Sequence, residues 1–127
     1  MPTQSVDARP AVWIGHAGPV EVPDLDRAVA FYESIGLHRI HGNDSMVALQ
    51  LRGGTHLVLL AADGAVEPTV LPFDLMVDDL GALRDRLDGA GFAVGPVERG
   101  GAHERFDVRD PAGHRVRIHD SHVVGPA

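Results

Sequence analysis

The chain is expected to fold as an α+β protein of two consecutive βαβββ modules, which form a concave mixed sheet with the helices outside. Three observations carry this expectation. The apolar pattern runs strand, helix and three strands, switching between periods of two and about 3.6, and then repeats that order. An offset of 55 residues places Val22 on Val77, Asp24 on Asp79, Leu25 on Leu80 and Gly36 on Gly91, so strand end, helix cap, first helical apolar residue and helix stop recur together. A chain of 127 residues with 44% hydrophobic content is long enough for one packed domain.

Residues 1–11 are polar with two prolines and read as an arm. Residues 13–22 read as a strand interrupted by Gly15, Gly18 and Pro19. Asp24 suits a helix N-cap. Leu25, Ala28, Val29, Tyr32 and Ile35 then mark one helical face, which Gly36 stops. Residues 38–41, 46–51 and 56–61 read as strands, broken at Gly42-Asn43-Asp44 and at Gly53-Gly54. A linker at 63–68 closes the first module, 12–66, and opens the second, 67–122.

In the second module Phe73, Leu75 and Val77 alternate with Asp74, Met76 and Asp78, the pattern of a half-buried strand. Asp79 caps a helix with Leu80, Leu83, Leu87 and Ala90 on one face and Gly91 at its end. Residues 92–97, 104–109 and 115–119 read as the last three strands, with a tight turn at Asp110-Pro111-Ala112-Gly113. Residues 123–127 are a tail.

Composition removes several functional classes. The absence of cysteine excludes disulfide scaffolds, thiolate metal sites, iron–sulfur clusters and cysteine nucleophiles. A net charge of −7 argues against nucleic-acid binding. No apolar run approaches the length that spans a bilayer, and the first residues show no secretory signal, so a cytoplasmic location is expected. Eleven basic residues with no lysine among them, and many Gly and Pro, suit a GC-rich bacterial gene. Eight histidines leave His and carboxylates as the donors for any transition-metal site.

The segment Val22-Pro23-Asp24-Leu25-Asp26-Arg27-Ala28-Val29-Ala30-Phe31-Tyr32-Glu33, followed by Gly36-Leu37, resembles the opening module of the vicinal oxygen chelate superfamily, which includes glyoxalases, extradiol dioxygenases, fosfomycin-resistance enzymes and bleomycin-resistance proteins. Val77-Asp78-Asp79-Leu80 with Gly91-Phe92 resembles its second module, and Asp110-Pro111-Ala112-Gly113-His114 its closing turn. The resemblance spans about residues 12–120 and implies the glyoxalase-like fold, whose members carry many chemistries.

It also implies where a divalent metal would be held. Counted from Asp24, Asp79 and Gly113, the ligand positions fall on Ala17, Pro72 and Arg117, and a further one falls near Val58 or Leu59. None of these side chains ligates a metal, and Arg117 is a permanent cation. His16 is adjacent to the first position, but one step along a strand points it to the other face unless a bulge near residues 15–18 rotates it inward.

With Arg117 facing the cup, strand alternation places Arg115 and His119 there too, with Val116 and Ile118 against the helices. The same alternation brings in Ala17, Pro19 and Glu21; His56, Val58 and Leu60; and Asp74 and Met76. Apolar walls with a few polar anchors suit a small organic ligand. Glu21 and Asp74 are expected to face Arg117 and Arg115, as a structural network, as ligand anchors, or both. Trp13 is open to stacking on a flat ligand or lining a dimer interface, and His103, His114 and His122 are expected in solvent.

The resemblance is closest in character to the metal-free bleomycin-resistance type. It implies a protein that sequesters a small organic molecule, an antibiotic or natural product, without metal or other cofactor, as a homodimer and with no nucleic-acid or membrane partner. The binding residues would be Trp13, Glu21, His56, Val58, Asp74, Met76, Arg115, Arg117 and His119. Two alternatives stay open. One is a metal-dependent lyase, isomerase, dioxygenase or thiol transferase built from His16, His56, Glu21 or His119. The other is a metal-free enzyme with His119 or Asp74 as base.

Overall fold

The computed structural model describes residues 10–101 and 103–120. Residues 1–9 of the expected arm, the tail at 123–127 and His122 lie outside them. The elements run β1 (His16–Val22), α1 (Leu25–Ile35), β2 (His38–Gly42), β3 (Met46–Gln50), β4 (His56–Ala61), β5 (Val70–Val77), α2 (Leu80–Gly89), β6 (Glu98–Gly100), β7 (His103–Arg109) and β8 (Arg115–Asp120). Two four-stranded sheets result, ordered β1-β4-β3-β2 and β5-β8-β7-β6. In each, the first and last strands of the module pair in parallel and the other neighbours are antiparallel. The two sheets thus repeat one topology, as the 55-residue offset predicts.

Both helices start at the expected aspartates. Asp24 accepts a hydrogen bond from the Arg27 N–H at 3.1 Å, and Asp79 accepts one from the Ala82 N–H at 3.0 Å. Gly36, at φ 130°, ends α1 and donates to the Tyr32 and Glu33 carbonyls. On α1, Ala28, Val29, Phe31, Tyr32 and Ile35 are buried; on α2, Leu80, Leu83 and Leu87 are. Ala90 is exposed, because α2 ends at Gly89 and Ala90 is its C-cap.

One continuous core joins the two modules. Phe31 of α1 meets Phe92 edge-on, with ring centroids 4.8 Å apart. A buried polar cluster pins the same junction. The Tyr32 hydroxyl donates to Asp110 Oδ2 at 2.8 Å, while Asp110 Oδ1 accepts the Ala112 and His114 N–H groups at 2.9 Å each. His114 is 2% exposed, which corrects its expected place in solvent. Its Nδ1 accepts the Thr69 N–H at 3.2 Å, which leaves Nε2 to donate to the Glu21 carbonyl at 2.8 Å. The closing turn of the second module is thereby tied to β1 of the first.

Two strands differ from expectation. The first begins at His16, while Val12, Trp13 and Ile14 ahead of it are 70–81% exposed. Residues 92–97 do not form a full strand. Ala93 and Gly95 exchange single hydrogen bonds with β7, and Val94 bridges Val108, but Pro96 has no N–H to continue the ladder. Pairing resumes only at β6. No described helix is long and apolar enough to cross a membrane.

Candidate ligand-binding site

The helices cover one face of each sheet, and the candidate site is built on the other. In the first sheet β1 and β4 pair His16 with His56 and Ala17 with Leu57, then Val20 with Leu59 and Glu21 with Leu60. One extra β1 residue is accommodated between Ala17 and Val20. Leu57 and Leu59 are fully buried in the core, so Ala17 and Val20 share their side. His16, His56, Val58, Glu21 and Leu60 therefore belong to the helix-free face.

This corrects the expected register, in which Ala17 faced the open side and His16 the helices. Gly18 makes the bulge possible. Its φ is 95°, and a Cβ there would lie 2.9 Å from the Val58 carbonyl oxygen and 3.0 Å from the Val20 nitrogen. The His16 and His56 rings consequently come within 5.7 Å of each other, centroid to centroid. Gln50 pairs with His56, and His38 with Gln50, so one polar row crosses all four strands.

In the second sheet Leu75, Phe106, Val108, Val116 and Ile118 are buried against the helices. The intervening residues Asp74, Met76, Asp107, Arg109, Arg115, Arg117 and His119 occupy the open face. Register places Asp74 and Asp107 on either side of Arg117, and Met76 and Arg105 on either side of His119. Arg117 Nε donates to Asp107 Oδ1 at 3.2 Å, and Arg115 Nε lies 3.8 Å from Asp107 Oδ2. The hydrogen bond to Asp107, then its charge, raises the Arg117 pKa further above the ordinary guanidinium range. Glu98 lies 3.5 Å from Arg105.

Asp74 is bound instead to His119, Oδ2 to Nε2 at 3.0 Å. His119 is 16% exposed in its side chain, and its Nδ1 is buried without a hydrogen-bond partner among the described residues. The expected pairing of Glu21 and Asp74 with Arg115 and Arg117 is thus replaced. Asp107 serves both arginines, Asp74 serves His119, and the Glu21 side chain has no ion pair among the described residues.

The nine candidate residues fall into three places. Glu21, His56 and Val58 share the open face of the first sheet, and Asp74, Met76, Arg115, Arg117 and His119 that of the second, with β1 and β5 in contact. Trp13 stands apart, 77% exposed ahead of β1. Sequence reasoning missed Asp107, although a hairpin pairing Arg109 with Arg115 across the 110–114 turn necessarily pairs Asp107 with Arg117. His103 was expected in solvent and is half-buried, its Nδ1 lying 3.1 Å from the Asp120 carbonyl.

Among the described residues no three His, Asp or Glu side chains gather closely enough to hold a metal ion. A cleft of about 560 Å³ lies elsewhere, between the start of α1 and the β2–β3 turn, and contains none of these residues.

The family profile described as Glyoxalase/Bleomycin resistance protein/Dioxygenase superfamily matches residues 13–118. Several solved structures are similar. The lactoylglutathione lyase from Agrobacterium tumefaciens aligns with TM-score 0.72 and 24% identity over 93% of this chain and 100% of its own. The oxidase ChaP-H1 gives TM-score 0.74 and 20% identity over 87% and 97%. A bleomycin resistance determinant encoded on the transposon Tn5 gives TM-score 0.67 and 21% identity over 88% and 100%. At these identities the likenesses show the fold. No curated protein matches the sequence.

Proposed function

The chain belongs to the glyoxalase/bleomycin resistance protein/dioxygenase superfamily, and from that premise we propose that it binds a small organic molecule on the helix-free face and acts by sequestration, without a metal. One observation carries this reading. The residue at the position of the family's last-strand ligand is Arg117, and its guanidinium is held by Asp107. The remaining donors are dispersed or paired with one another, as in Asp74 with His119, so the residues present do not fit a divalent ion within one chain.

Catalysis by a His119 base is disfavoured by the same geometry. Its Nε2 is bonded to Asp74 and its Nδ1 is buried, so neither nitrogen is presented to a ligand. Val58 and Met76 supply apolar surface, with Met76 54% exposed. We further propose a homodimer. The exposed run Val12-Trp13-Ile14 and the free edges of β2 and β6 are the features a second copy would cover.

Native mass spectrometry of the untagged protein, with elemental analysis, tests the reading. A dimer carrying a small organic molecule and no stoichiometric metal is expected. Stoichiometric nickel, iron, manganese or zinc would sink it in favour of a second reading, a metal-dependent enzyme, which the inward rotation of His16 beside His56 supports.

A further inference from the structure

Arg109 and Arg115 stand directly opposite each other across the antiparallel β7–β8 pair. Cβ atoms at such positions lie about 5 Å apart, and like charges there repel. The local carboxylates do little to relieve them. Asp107 gives its short contact to Arg117 and lies 3.8 Å from Arg115. Asp74 is taken by His119, and Glu98 by Arg105. Arg109 has no ion pair among the described residues, only a 3.0 Å hydrogen bond from Nη1 to the Gly113 carbonyl. In a chain of net charge −7, Arg115 thus has one carboxylate at 3.8 Å, shared with Arg117, and Arg109 has none among the described residues.

A cleft of about 300 Å³ opens at this pair, lined by Ala93, Gly95, Asp107, Arg109 and Arg115 among others. Its wall is fixed. The Gly95 N–H donates to the Asp107 carbonyl at 2.8 Å, the Arg109 N–H donates to the Ala93 carbonyl at 3.1 Å, and Arg84 Nε donates to the Gly95 carbonyl at 2.8 Å. Gly95 contributes no side chain to the space. Arg109 and Arg115 both line the cleft, with Asp107 the one carboxylate beside them, and an oxyanion that accepts N–H donors from both arginines would cancel their repulsion.

We propose that this cleft takes the oxyanion head, carboxylate or phosphate-type, of a small organic acid, held between Arg109 and Arg115. The inference rests on the small-molecule reading above and assigns the charge of the ligand. It runs against the net charge of the protein, which taken alone favours neutral or cationic ligands.

Two-dimensional amide NMR titration of the full chain tests it, with phenylphosphonate and benzoate as anionic probes and benzylamine as a cation of similar size. The anions are expected to bind saturably, shifting Gly95, Asp107, Arg109 and Arg115, and to bind about tenfold or more weakly in Arg115→Gln. Arg115→Gln is also expected to keep or raise the midpoint of thermal unfolding, because it relieves the like-charge pair. Failure of both anions to bind, unchanged affinity in Arg115→Gln, or a lowered midpoint with binding intact would each overturn the proposal. If benzylamine alone binds and shifts Val58 or Met76, the anion assignment fails while the small-molecule reading stands.

Discussion

Tyr32 is the one tyrosine of a chain that has neither lysine nor cysteine, so it is the only side chain whose ordinary pKa falls between about 9 and 12. Burial pushes its hydroxyl pKa far up, and the Asp110 carboxylate adds to the shift by charge and by hydrogen bond. The folded state therefore keeps the proton that the unfolded chain releases near its ordinary value of about 10. The stability from this group is complete below that pH and is lost as pH rises above it, at up to about 1.4 kcal/mol per pH unit. Urea midpoints measured from pH 8 to 11.5 are expected to fall in the native protein and to stay flat in Tyr32→Phe. At pH 8 the same variant is expected to lose about 1–3 kcal/mol, because Asp110 keeps its burial but not its donor. His114→Leu is expected to cost about 2 kcal/mol or more in the same assay, since it strands the Thr69 N–H and the Glu21 carbonyl together.

At the scale of the element, the bulge in β1 decides what the site contains. Alternation read from the sequence placed Val20 and Val22 against the helices, where they lie, but extended the same register back through Gly18. A single extra residue inverts every side chain beyond it, which is why Ala17 and His16 exchanged faces. Gly18→Ala is expected to place a Cβ against the Val58 carbonyl at a backbone angle that disfavours it. A loss of more than about 1 kcal/mol, with changed His16 and His56 ring resonances, is expected, and an unperturbed variant would show that the bulge does not depend on glycine. On β8 the alternation was legible, because Val116 and Ile118 sit between charged residues with no irregularity in the ladder. The partners were not, because Arg117 lies between Asp74 on β5 and Asp107 on β7, and Asp74 turns to His119, a side-chain choice that alternation does not specify. His114 was missed for a related reason: the burial of a turn residue depends on the other module packing over it.

At the scale of the whole molecule, the two repeated modules share one interior. Phe31 is fully buried on α1 yet packs edge-on against Phe92 after α2, and Tyr32 beside it ends on Asp110 in the turn before β8. Arg86 of α2 donates back to the Ser34 carbonyl of α1 at 2.9 Å. Removing either module would expose apolar surface of the other and leave the Asp110 and His114 cluster without half its partners. The two modules are therefore expected to unfold in one transition. Trp13 is too exposed to report this, so amide exchange and far-ultraviolet circular dichroism are the measurements of choice. In Phe31→Ala a loss of about 3–5 kcal/mol is expected. Because the core is continuous, amides in β8 of the second module should lose exchange protection by the same free energy as those in β4 of the first. Protection retained in β8 while β4 opens would show that the modules are energetically separate. The helix-free face would then be a junction free to shift, and the relative positions of Arg117, Asp74 and His56 would vary with it.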